Sequence, residues 1–227
     1  MLNRLVRYGP VIRRLDRMER ANILEVGSGS LGLCEFYDQK VVGCDIEFKA
    51  PISPRLVPVQ SCGLHLPFAA ESFDVVVCTD VLEHIYPNDR TLLVEELSRV
   101  ARQHLIIAFP CGDGARRVDE ILYRYYRWRE ATPPDWLMDH RVFSYPNVAE
   151  VQEILAVKNW HCTVEGNENV VIHLSLMILE SLYPLGSVLS CLSHRAMGLW
   201  LTILSWLSFG SVYRKIIFAT KEFAESR

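Results

Sequence analysis

The residues best placed to do chemistry early in the chain are Gly27, Ser28 and Gly29, in the run ILEVGSGSLG from Ile23 to Gly32, together with Asp45, the acid that ends the next apolar run. A glycine-rich turn directly after a strand lets the backbone turn tightly and approach a ligand, and the helix expected to follow presents unpaired N–H groups at its start. An acid about twenty residues further on, at the end of a second strand, is placed to accept hydrogen bonds from both hydroxyls of a ribose. A nucleotide-type cofactor fits that pair. The pattern alone is shared by dinucleotide sites and S-adenosyl-L-methionine (SAM) sites. Glu25 favours SAM, because a carboxylate two places before the first glycine can meet the cationic amino-acid end of that cofactor. Further along, His140 beside Asp139 and His84 beside Glu83 are candidate general bases, each with a neighbouring carboxylate able to orient its imidazole.

These residues need a scaffold, and the hydrophobic pattern predicts one. Short apolar runs at Ile23–Val26, Lys40–Asp45, Leu56–Val59, Phe73–Cys78 and His104–Phe109 read as strands separated by turns and helices. Leu93, Leu97 and Val100 fall on one face of a helix that Asn88 or Asp89 can cap. The series β-α-β predicts a doubly wound, mostly parallel sheet. Beyond Pro110, Val118, Ile121, Leu122 and Tyr125 make a helical stripe interleaved with Arg116, Arg117, Arg124, Arg127 and Arg129. A further helix spans Val148 to Val157, and Trp160–Val164 and Val212–Thr220 read as closing strands.

Composition bounds the answer. With 227 residues, 50% of them hydrophobic and 22% charged, the chain is sized for one domain, 1–227, with an ample core. A net charge of -3 argues against a protein that neutralises nucleic-acid phosphates. The seven cysteines are scattered with no C-x-x-C pair, which predicts reduced, buried thiols and a cytoplasmic setting. Residues 1–21 form a basic N-terminal helix with no apolar export signal.

The LPF at Leu66–Phe68 and ESFDVVVCTDVLEHI at Glu71–Ile85, taken with the glycine turn, resemble the class I SAM-dependent methyltransferases of the type 11 family. The resemblance runs with gaps from about Ile23 to Thr220. It implies a Rossmann-like methyltransferase fold of seven strands and SAM as cofactor. Glu25, Gly27, Ser28 and Gly29 would then hold the methionine part, Asp45 the ribose, and Ile46 the adenine face. Thr79, Asp80 and Val81 would line the methyl-donor side. Two positions depart from the family: Leu31 stands where its third glycine usually falls, with Gly32 next to it, and Cys62 replaces an aspartate that accepts from the adenine amino group. Losing one such hydrogen bond costs about 0.5–1.5 kcal/mol, which weakens cofactor binding and does not abolish it, and the Gly63 N–H remains as a ring contact. The segment WLMDHRVFSYP at Trp136–Pro146 resembles the family's stretch toward the substrate, favouring His140 as base. Methyl transfer of this kind needs no metal.

The acceptor is indicated by an apolar insert at Val170–Phe209, before the last strand. Ala196–Tyr213 carries no charge for eighteen residues, short of the ~20 that cross a bilayer. Gly198, Thr202 and Ser205 form a small, weakly polar stripe, and Arg195, Arg214 and Lys215 stand at the edges. A peripheral contact with the inner membrane face is expected, against a helical cap on the domain or a dimer interface. Similar chains with such a region resemble methyltransferases of surface glycans and lipid-linked sugars. The resulting expectation is O-methylation of a sugar, a lipid-linked glycan or another small molecule. A lipid quinone is the second substrate class, and a non-catalytic SAM-fold scaffold, favoured by Leu31 and Cys62, is a different class of function. A nicotinamide-dependent oxidoreductase is disfavoured by Glu25.

Overall fold

A computed structural model describes residues 2–18, 20–182 and 210–221. It begins with α1 (Leu2–Leu15), followed by β1 (Ile23–Val26), β2 (Val41–Asp45), β3 (Leu56–Gln60) and β4 (Phe73–Thr79). Then come α2 (Arg90–Val100), β5 (Ala101–Pro110), α3 (Gly112–Trp128), α4 (Asp135–Val142) and α5 (Val148–Val157). The described chain closes with β6 (Trp160–Asn169), α6 (Val170–Ser181) and β7 (Val212–Lys221). The strands form one seven-stranded sheet in the order β3-β2-β1-β4-β5-β7-β6. All neighbours through β5 are parallel, and β7 runs antiparallel to both β5 and β6.

The central strands are apolar on both faces because both faces are covered. Leu24, Val26, Val76, Leu105 and Ile107 pack with Leu93, Leu97 and Val100 of α2 and Val151 and Leu155 of α5. The alternate residues Ile23, Val75, Val77, Ile106 and Ala108 pack with Leu5, Val11, Ile12 and Leu15 of α1. A third cluster joins Ala115, Val118 and Leu122 of α3 to Leu137 of α4 and Tyr213 of β7, with Val170, Leu174, Met177 and Ile178 of α6 against it. Among the described residues no helix is long and apolar enough to cross a membrane.

Three local expectations change. No α-helix follows the glycine turn: Gly32–Glu35 is a single 3-10 turn, and Leu33 donates its backbone N–H to the Glu25 carboxylate at 2.7 Å. The buried Leu33, Phe36 and Tyr37 then pack against α1, which fills the layer that the missing helix would occupy. Asp89 stands at the N-cap position of α2 with no side-chain capping bond, after a 3-10 turn at Pro87–Asp89. Finally, β6 runs on to Asn169, because its antiparallel pairing with β7 continues from Trp160↔Lys221 to Asn169↔Val212. The beginning of the apolar insert is α6, which packs on α1 and α3; residues 183–209 lie outside the described residues, so the stripe of Gly198, Thr202 and Ser205 does too.

Candidate active site

Strand pairing brings three strand ends together. Val26 of β1 is level with Cys44 of β2 on one side and with Cys78 of β4 on the other. The chain leaves β1 through Gly27 at φ +79°, whose N–H donates to the Cys44 carbonyl at 2.8 Å. A β-carbon at Gly27 would fall on a Val81 methyl group, so glycine is what lets the loops after β1 and β4 approach. Gly29 donates to Asp45 Oδ2 at 2.7 Å, tying the turn to the end of β2. Ser28 is buried, its hydroxyl on the Gly29 carbonyl at 2.9 Å.

Around this turn the predicted cofactor residues are gathered at one edge of the sheet. Among the described residues Asp45 Oδ1 has only a long contact, 3.4 Å, with the Glu47 N–H, which leaves it available to a ribose hydroxyl. Ile46 is 71% exposed, an open apolar face for a planar base. Cys62 is exposed and Gly63 partly buried. Thr79 is buried with its hydroxyl lacking a hydrogen-bond partner among the described residues. The backbone turn, the half-free Asp45 carboxylate, the bare Ile46 face and the orphaned Thr79 hydroxyl fit SAM. Glu25, by contrast, is used within the chain. Its carboxylate accepts from Tyr8 Oη at 2.8 Å and from the Leu33 N–H, and burial pushes it up to about 7 against the lowering effect of both bonds. Gly32 is needed beside it, since a β-carbon there would strike the same carboxylate.

The second half of the site lies beyond the ends of β4, β5 and β7. Asp80, with φ +53°, follows β4 directly. Arg214 of β7 grips it through Nε at 2.6 Å and Nη2 at 2.7 Å, and Arg7 of α1 adds a third contact at 2.8 Å. Burial would raise the Asp80 carboxyl, but the two guanidinium groups outweigh it and hold it down to about 2. Arg214 also reaches Glu168 of β6 at 3.2 Å, and Glu168 meets His173 Nδ1 at 2.8 Å. Arg214 is 1% exposed, so it is no membrane-edge cation. The uncharged run that ends at Tyr213 likewise passes into a buried strand of the sheet.

His140 and His84 come together here, with ring centres 5.3 Å apart. Their orienting carboxylates are not their sequence neighbours. His140 Nδ1 is 2.7 Å from Asp119 of α3, while Asp139 lies 3.0 Å from Nδ1 of His84. Adjacent residues of a helix point about 100° apart, so Asp139 and His140, both on α4, face different partners. Asp119 also accepts from Tyr213 Oη at 2.8 Å and from Tyr145 Oη. A carboxylate only accepts, so His140 carries a hydrogen on Nδ1, and in the neutral imidazole Nε2 is the free nitrogen. That Nε2 has no hydrogen-bond partner among the described residues; Glu83 Oε1 stands 3.9 Å from it. Burial and the adjacent Asp80 push the Glu83 carboxyl well above the usual carboxylate range, and burial with His140 lowers His84.

These side chains line a cavity of about 280 Å³ that also takes in Arg4 and Arg7 of α1, Trp136 and Glu180. Trp136 presents its ring edge-on to His140, with centres 5.3 Å apart. Sequence reasoning missed Asp119, Arg7, Arg214 and Glu168, because no local motif links positions so far apart; the only signal was their charge within apolar segments. A larger groove on the far side of His140 is lined by Arg116, Arg117, Arg124 and Arg141, the last two paired with Glu120.

Comparison with known proteins agrees with the fold. Residues 24–109 match the family described as a methyltransferase domain. The magnesium protoporphyrin IX methyltransferase of Synechocystis PCC 6803, solved with S-adenosylhomocysteine, is similar with a TM-score of 0.55 at 13% identity, over 97% of this chain and 83% of that one. The Haemonchus contortus phosphoethanolamine N-methyltransferase 2, solved with phosphomonomethylethanolamine and S-adenosylhomocysteine, is similar with a TM-score of 0.57 at 14% identity, over 95% of this chain and 53% of that one. No curated protein matches. Structural likeness at this identity speaks for the fold, and the domain match covers the segment that carries the glycine turn, Asp45 and the loop after β4. Residues 24–109 thus carry a methyltransferase domain with S-adenosyl-L-methionine as its cofactor, set in the class I methyltransferase fold.

Proposed function

We propose that the chain transfers the SAM methyl group to a hydroxyl of a sugar, a lipid-linked glycan or another small polar acceptor held in the cavity beside His140. The supporting observation is the His140 ring: its Nδ1 is held by Asp119, its Nε2 is unpaired among the described residues, and the residue lines that cavity. A bound SAM supplies a methyl group already made electrophilic by its sulfonium. The remaining work for the protein is alignment, exclusion of water and removal of the hydroxyl proton. His140 Nε2 takes that proton, and His84, steadied by Asp139, stands next to it as the second candidate base. The charged lining, with the Trp136 ring among its flat faces, suits a hydroxylated ring better than a lipid quinone.

His140→Ala tests the reading. Turnover should fall by about 100-fold or more while the Kd for SAM stays within about twofold; unchanged turnover removes His140 from the chemistry. Labelled SAM incubated with lipid and glycan extracts identifies the acceptor. The peripheral membrane contact rests on the uncharged stretch with Trp200 and Trp206. Liposome flotation of the intact chain, compared with one in which residues 183–209 are replaced by a short Gly/Ser linker, should show loss of vesicle binding. Equal recovery of the two in the soluble fraction overturns the contact.

A further inference from the structure

We infer that Glu83, His84 and His140 form a binding site for a divalent transition-metal ion, open toward the acceptor cavity. One ligand-capable atom from each residue lies within 4.8 Å of the other two. Metal–nitrogen and metal–oxygen bonds of about 2.0–2.2 Å put tetrahedral ligands about 3.3–3.6 Å apart, so an inward shift of somewhat under ~1 Å by each side chain closes the set. The second observation is what the cluster leaves unpaired. His140 Nε2 and Glu83 Oε2 are both buried, with side chains 4% and 1% exposed, and neither has a hydrogen-bond partner among the described residues. Two orphaned buried polar atoms in one cluster are costly, and a cation held between these side chains offsets that cost.

The surrounding groups have the form that metal ligands need. Each histidine engages a carboxylate through Nδ1, His84 with Asp139 at 3.0 Å and His140 with Asp119 at 2.7 Å, which leaves Nε2 as the ligating nitrogen in both rings. Asp80, the remaining acid nearby, is taken by Arg214 and Arg7 and does not compete. Two imidazoles and one carboxylate favour a first-row ion such as Zn²⁺, Mn²⁺, Fe²⁺ or Co²⁺ over Mg²⁺ or Ca²⁺. Three protein ligands leave positions open for an incoming oxygen. The role of the ion rests on the reading of this cavity as the acceptor site. An ion held there would take Nε2 of His140 as a ligand and would polarise the acceptor hydroxyl, whose proton would leave to water; in the ion-free chain Nε2 remains the base.

Co²⁺ titration of the chelator-treated full chain, read by equilibrium dialysis and visible absorption, tests the site without SAM or acceptor. The wild type should take up one Co²⁺ per chain. His84→Ala and His140→Ala should each weaken uptake at least tenfold, and Asp139→Asn by about 10–100-fold, with SAM binding showing that each variant is folded. If His140→Ala fails to fold, His84→Ala, at a side chain 30% exposed, decides. No stoichiometric uptake by the wild type, or uptake unchanged in His84→Ala, overturns the inference. If the wild type binds no Co²⁺ and His140→Ala still loses turnover, the ion is overturned and the base reading stands. Co²⁺ uptake with turnover unaffected by His140→Ala supports the ion and removes the base reading.

Discussion

The two halves of the site are built by different means. At the ends of β1 and β2, the cofactor side is mostly backbone: a glycine turn, two N–H groups committed to neighbouring carbonyl and carboxylate, and the single acid Asp45. At the ends of β4, β5 and β7 the acceptor side is made of side chains from seven elements, joined through buried acids that each serve several partners. Asp80 alone holds Arg7 and Arg214, and Asp119 holds His140, Tyr145 and Tyr213. A backbone cradle tolerates change around it, whereas a buried charge network fails when one member is lost.

Mutations should separate the halves. Arg214→Met leaves Asp80 and Glu168 as buried acids without their main counter-charge, and should lower unfolding free energy by about 3–5 kcal/mol in urea titrations. A loss below about 1 kcal/mol would mean that the network is not what holds this side together. Asp45→Asn removes a charged acceptor on the cofactor side and should weaken SAM binding by about tenfold or more, with little change in stability; equal SAM affinity would take the ribose away from Asp45.

The smallest expected effect is a pH trend at Glu25. Its folded value of about 7 lies above the ordinary 4.5, so the folded chain holds the extra proton between these limits. The stabilisation is complete below about pH 4.5 and is lost as pH rises through 7. Relative to Glu25→Gln, whose side chain does not titrate, the wild type should lose Tm between pH 5 and 8. A difference in Tm that is flat over that range would show that the carboxylate is already ionised at pH 5.

The contrast also explains what the sequence revealed. The cofactor side was legible because its parts are local: the turn follows its strand directly, and Asp45 ends the next one, so spacing alone brings them together once the sheet forms. The parallel pairing of the first five strands followed from the same β-α-β logic. The missing helix after Gly32 was not legible, because it depends on Glu25 capturing the Leu33 N–H and on α1 arriving to fill the layer. His84 and His140 were visible as residue types, yet neither is held by its sequence neighbour: Asp139 turns to His84 and His140 takes Asp119, since neighbours along a helix diverge while positions on α3 and α4 converge. Arg214 read as a surface cation because it follows an apolar run, and only the sheet order shows it facing Asp80.

The salt bridges at Asp80 join the beginning of the described chain to its last strand, since Arg7 stands on α1 and Arg214 on β7. During synthesis on a ribosome, the cofactor loop can assemble once β4 has emerged, but the opposite wall must wait until residue 214 leaves the exit tunnel. Until then Asp80 and Glu168 have no Arg214 to neutralise them, so an unfinished chain would hold its donor pocket and lack the chamber where a methyl group is delivered.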